Sequence, residues 1–89
     1  MLEQELMVSN RLGLHARATA KLVQVLSAFR SNATLVAKGR EVNAKSIMGV
    51  MLLAAAQGTP VTVRVDGEDE AAALEAVAAL FERRFDEDS

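Results

Sequence analysis

The apolar residues of this chain switch repeatedly between a period of two and a period near three and a half, all within 89 residues. Each stretch is too short to bury its own apolar face, so strands and helices must cover one another around one core. Residues 2–8 set Leu2, Leu6 and Val8 against Glu3, Glu5 and Met7, the alternation of a half-buried strand. Arg11 to Leu14, with Gly13, reads as a loop. From about Ala16 to Arg30, Thr19, Leu22, Val23, Leu26 and Phe29 form a helical stripe, with Lys21, Gln24, Ser27 and Arg30 toward water.

Residues 33–37 and 40–43 flank Lys38-Gly39, a pair suited to a tight hairpin because glycine tolerates positive φ. Ser46 can cap a short helix within IMGVMLLAAA, where Ile47, Val50, Met51 and Ala54 share a face. Gln57-Gly58-Thr59-Pro60 stops it, and Val61, Val63 and Val65 then alternate with Thr62, Arg64 and Asp66 as far as Gly67. Asp69 can cap a last helix whose buried stripe is Leu74, Val77, Ala78, Phe81 and Phe85, with Arg83 and Arg84 at the negative end of its dipole. Asp86-Glu87-Asp88-Ser89 reads as a frayed, solvated acidic tail. The order β-α-β-β-α-β-α predicts an α+β fold, an antiparallel sheet covered by helices on one face, in a single domain over 1–89.

Composition narrows the function. A net charge of −2 with no tryptophan or tyrosine leaves neither the field nor the stacking surface of a nucleic-acid binder. No apolar run reaches membrane-spanning length, and the first ten residues lack the basic segment and apolar core of a secretory signal, so a soluble protein is expected. Without cysteine, and with one histidine, the chain can build neither a conventional zinc site nor a Ser-His-Asp triad. A reducing cytoplasm is allowed.

His15, that single histidine, stands where the Gly13 loop gives way to the first helix. Backbone amides at a helix N-terminus lack intrahelical acceptors and favour anions, phosphate above all. Arg17 adds a guanidinium whose fork matches phosphate oxygens. Imidazole can carry a covalent intermediate, and phosphoryl transfer asks mainly for positioning and charge stabilisation. By itself, a lone histidine beside an arginine is more often an ordinary helix-terminal residue.

The stretch Gly13-Leu14-His15-Ala16-Arg17 resembles the active-site signature of the histidine-containing phosphocarrier family, HPr, and Lys45-Ser46-Ile47-Met48-Gly49-Val50-Met51 resembles that family's regulatory serine signature. Their separation, the length and the element order match across essentially the whole chain. The resemblance implies an open-faced β-sandwich with a four-stranded sheet and three helices on one face. It implies phosphorylation of His15 on Nδ1 by the phosphohistidine of enzyme I, stabilised by Arg17, and discharge to a histidine of an enzyme IIA. Phosphoenolpyruvate is then the upstream donor and no cofactor is bound. The protein would be a cytoplasmic carrier with a covalent phosphohistidine rather than an independent multiple-turnover enzyme. One position departs: many members have proline after the arginine, where this chain has Ala18, a residue that keeps the helix but makes the loop less rigid.

Ile47, Met48 and Met51 exceed what one short helix can bury, so an apolar patch near Ser46 is expected, and methionine suits a surface that accepts several partners. The resemblance places this patch, with Ala16 and Ala20 of the first helix, in the docking face for enzyme I and enzyme IIA, and makes Ser46 a target of an HPr kinase/phosphorylase. Ser46 also has a plain reading as a helix cap. A carrier must leave each partner, so small transient interfaces and a monomer follow. Two other classes compete: an acylphosphatase-like hydrolase, for which no phosphate-loop motif is found, and a regulatory interaction domain in which His15 is incidental.

Overall fold

Alternation decides which face of each strand is dry, and in the computed structural model, which describes residues 1–88, that face is shared by the strands. The elements are β1 (Leu2–Met7), α1 (Ala16–Ser27), β2 (Asn32–Ala37), β3 (Arg40–Asn43), α2 (Ile47–Leu52), β4 (Pro60–Asp66) and α3 (Glu70–Glu82), followed by a 3-10 turn at Arg84–Asp86. The strands pair antiparallel in the order β1-β4-β2-β3. With Leu6 opposite Val61 and Leu35 opposite Val63, the residues Val61, Val63, Val65, Ala33, Leu35 and Ala37 bury one face under the helices. The other face is open and polar, and Arg64 there bonds Glu3 at 2.7 Å and lies 3.5 Å from Glu41. This is the expected open-faced sandwich. The Lys38-Gly39 turn has φ of 54° and 75°, the two positive values of a type I′ hairpin.

The helices depart from the sequence reading in instructive ways. α1 stops at Ser27, where the amides of Ala28 and Phe29 close the last turn on Val25 and Leu26 carbonyls, rather than running to Arg30. Val25, not Val23, joins Ala18, Leu22, Leu26 and Phe29 at the core. Val23 lies one residue beyond Leu22, roughly 100° further round the helix, and is turned aside. Lys21, expected in water, is only partly exposed and reaches across to the C-terminal turn.

α2 buries Val50, and Leu53 just beyond it, while Ile47, Met51 and Ala54 are exposed. Ile47, Val50 and Met51 keep the helical spacing of the expected face, and only Ala54 leaves it, because the helix ends at Leu52 and Ala54 enters the left-handed region at φ 49°. α3 turns Ala73, Val77, Leu80 and Phe81 inward; Arg83 is its C-cap, at the negative end as expected, and pairs with Asp86 at 2.8 Å, while Arg84 begins the following turn. Among the described residues no helix is long and apolar enough to cross a membrane.

The frayed tail expected from the charge of residues 86–88 is not what the structure shows; Ser89 lies outside the described residues. Phe85 is fully buried, its ring centroid 4.9 Å from that of Phe81, and this anchor pulls the acidic residues back onto the domain. Arg84, Phe85 and Asp86 all take positive φ, a conformation costly for residues with a Cβ and held here by the surrounding contacts. Lys21 Nζ donates to the Phe85 carbonyl at 2.9 Å.

Asp69 stands at the N-cap of α3 but does not cap it with its side chain. Its carboxylate accepts instead from the Arg30 amide (2.8 Å), the Ser31 amide (2.9 Å) and the Ser31 hydroxyl (2.5 Å), tying the α1–β2 turn to the start of α3. The Ser31 hydroxyl and the backbone donors hold its pKa down at about 2, from an ordinary value of 3.8. A depressed carboxyl stabilises the fold above its unfolded pKa and loses that contribution as pH falls through the folded one. Thermal melts of the wild type should therefore lose stability between about pH 4 and pH 2 by an increment absent from Asp69→Asn. Parallel acid profiles for the two proteins would contradict the assignment.

Candidate functional site

The segment before α1 is held by backbone bonds and by the side chain of Asn10. Gly13 donates its amide to the Asn10 carbonyl at 3.2 Å, and Asn10 Nδ2 donates back to the Gly13 carbonyl at 2.8 Å. The amide of buried Leu14 then bonds the Ala55 carbonyl at 2.9 Å, clamping the loop against the chain leaving α2. Only glycine fits at position 13: φ is 67°, and a Cβ would sit 2.5 Å from the Ala55 carbonyl oxygen.

His15 follows as the N-cap of α1, in extended conformation, and its side chain makes no capping bond. The helix is secured instead by the Thr19 amide on the His15 carbonyl (2.9 Å) and the Thr19 hydroxyl on the Leu14 carbonyl (3.2 Å). The amides of the first turn therefore remain without intrahelical acceptors beside the imidazole, and that turn contains no acidic residue. Ala18 is fully buried inside α1, so the helix forms without the proline common in the resembled family.

One further residue completes the site, and sequence reasoning missed it. Glu87 Oε2 lies 2.5 Å from His15 Nε2, and its Oε1 accepts from Asn10 Nδ2 at 3.0 Å. The side chains of His15 and Glu87 are 27% and 11% exposed, so the contact is substantially shielded from water. Burial pushes the Glu87 carboxyl up, but the hydrogen bonds from Asn10 and His15 and the charges of His15 and Arg17 outweigh it, leaving the pKa below the ordinary glutamate value. An ionised carboxylate only accepts, so Nε2 is the donor and carries the ring proton. In the neutral ring Nδ1 is then the nitrogen with the free lone pair.

Arg17 is exposed and lines a shallow cleft of about 410 Å³ with Arg11, Leu12, Lys21 and the acidic residues 86–88. The predicted pair, His15 and Arg17, is thus brought to one helix end, with Arg11, Lys21 and the carboxylates of residues 86–88 on its flank. Among the described residues no three histidine or carboxylate side chains converge as a metal site. Ser46 caps α2, its Oγ accepting from the Gly49 amide at 3.0 Å. Ala16, Ala20, Ile47, Met48 and Met51 are all exposed on the packed pair α1 and α2, and the structure adds Leu12 and Leu52, 67% and 63% exposed, which the sequence reading left out.

An open-faced α+β sandwich with a lone imidazole displayed at a helix terminus defines a protein that works by presenting a side chain rather than enclosing a substrate. Residues 2–83 match the family described as "PTS HPr component phosphorylation site". The chain is 71% identical over 89 residues, the full length of both, to phosphocarrier protein HPr of Xylella fastidiosa. It superposes on HPr-C-His from Thermoanaerobacter tengcongensis with a TM-score of 0.96 at 40% identity, covering all of each chain. An HPr dimer from the same organism aligns at a TM-score of 0.79 and 41% identity, over 98% of this chain and 100% of that one. The chain belongs to the HPr family, the phosphocarrier proteins of the phosphotransferase system.

The clamp on the loop is testable. Gly13→Ala forces a Cβ against the Ala55 carbonyl in a left-handed conformation, and should destabilise the fold by roughly 1–3 kcal/mol in urea denaturation. Amide exchange should quicken at Leu14, which donates to Ala55. A variant as stable as wild type, with Leu14 equally protected, would show that the close approach does not set the loop.

Proposed function

We propose that His15 accepts a phosphoryl group on Nδ1 from the phosphohistidine of enzyme I and donates it to a histidine of an enzyme IIA, with phosphoenolpyruvate as the upstream source. The observation that carries this reading is the occupation of Nε2 by Glu87, which leaves Nδ1 as the nucleophile beside the unpaired amides of α1. Those amides and the Arg17 guanidinium supply the positive field that the transferred oxygens need. No bound cofactor enters the scheme. The exposed residues of α1 and α2 form the docking face, and a monomer working in the cytoplasm suits an exchange carrier, even though a related chain forms a dimer. Light scattering on the purified protein reads the oligomeric state directly.

Ser46 regulation by an HPr kinase/phosphorylase fits the same surface. A phosphate on Ser46 is tolerated at the N-terminus of α2 but sets about two negative charges next to Ile47 and Met48, which weakens docking without unfolding the domain.

Purified protein incubated with phosphoenolpyruvate, magnesium and enzyme I should gain one acid-labile phosphate by intact mass, and His15→Ala should gain none. Protein first phosphorylated at Ser46 should be charged more slowly by enzyme I. Phosphate on neither wild type nor His15→Ala, with a competent enzyme I, would favour a regulatory interaction domain in which His15 is incidental.

A further inference from the structure

Three separate anchors bring Glu87 to His15. Phe85 is fully buried against Phe81, Lys21 Nζ bonds the Phe85 carbonyl, and Asn10 Nδ2 holds Glu87 Oε1 while itself bonded to Gly13. Asn10 is completely buried and belongs to the loop that carries His15, so the carboxylate is aligned by the same segment that aligns the ring. A merely solvated acidic residue would need none of this, and the turn reaches His15 through three consecutive residues of positive φ.

We infer that Glu87 is a positioning residue for the His15 reaction: its carboxylate holds the ring proton on Nε2 and neutralises the charge the ring gains when Nδ1 is phosphorylated. The inference rests on the carrier reading of His15. In the transfer, the Nδ1 lone pair forms the new N–P bond while the bond from phosphorus to the donor's imidazole nitrogen breaks and its electron pair stays on that nitrogen. No proton leaves His15, because the ring proton already sits on Nε2. The phosphorylated ring then bears both a proton and a phosphoryl group and is formally cationic, with the Glu87 oxygen 2.5 Å from Nε2 as its counter-charge. Without that oxygen the neutral ring is free to place its proton on Nδ1, which blocks the nucleophilic nitrogen. A side chain that orients the imidazole and compensates its charge through the nitrogen not engaged in bond making is the logic that makes the carboxylate of a catalytic triad effective.

The test uses the full chain with its histidine ring labelled with nitrogen-15. In unphosphorylated wild type, ring correlation spectra should show a single Nε2–H tautomer whose proton exchanges slowly with water. Glu87→Ala should lose that protected proton and populate the Nδ1–H tautomer, with the rest of the backbone spectrum unchanged, since Phe85 still anchors the turn. Glu87→Gln keeps the size and removes the charge. Both variants should accept phosphate from phosphorylated enzyme I about tenfold more slowly, the loss expected for one hydrogen bond to a charged group. Ring spectra identical in wild type and Glu87→Ala, or an unchanged transfer rate in both variants, would overturn the proposal. Wild type that takes up no phosphate at all would overturn the carrier reading instead, with the ring tautomer in unphosphorylated protein still reporting on Glu87.

Discussion

Burial of one face of β4 and β2 sets everything else in this molecule. Val61, Val63 and Val65 on β4 and Ala33, Leu35 and Ala37 on β2 point the same way, and a chain of 89 residues has only its helices to cover them. α1 and α3 do so with Leu22, Leu26, Val77 and Leu80, so the helix layer lies on a single side and the opposite sheet face stays wet. Once α1 is seated by that core, its N-terminus has to emerge at the edge of the helix layer. The loop from β1 must reach it past the exit of α2, where Leu14 meets Ala55 and only glycine fits at position 13.

The site therefore takes its geometry from packing. His15 neither caps its helix nor belongs to the core; Thr19 ties the first turn to the His15 and Leu14 carbonyls, and the first amides stay uncapped beside the imidazole. The tail supplies the second half. Phe85 is core, and the residues after it follow the anchor onto the imidazole, so Glu87 becomes part of the site through one buried ring. The exposed apolar patch proposed for docking has the same origin: α2 is six residues long and spends only Val50, with Leu53 beyond, on the core, so its other apolar side chains face outward.

Much of this was legible in the sequence because it is local. The alternation in residues 61–65, the Lys38-Gly39 turn and the Ser46 cap each follow from neighbours a few positions apart, and each is present as read. His15, Arg17 and the α1 terminus were legible for the same reason. What the sequence hid is long-range. The value of Glu87 depends on a contact 72 residues away, and within Asp86-Glu87-Asp88 nothing distinguishes the middle carboxylate from its neighbours. The one available signal was Phe85, an aromatic placed past the last helical turn, which a solvated tail does not need. Asp69 misled in a similar way: its position predicts a cap for α3, but the amides of Arg30 and Ser31 compete for the carboxylate and win.

Phosphoryl transfer through His15 turns on which ring nitrogen is free. The most direct measurement is the phosphorus–nitrogen coupling in the enzyme I-phosphorylated protein labelled with nitrogen-15 at His15. The structure predicts one phosphorus resonance coupled to Nδ1, with Nε2 still protonated against Glu87. Coupling to Nε2, the nitrogen the structure shows engaged by the carboxylate, or phosphate on any residue other than His15, would contradict it.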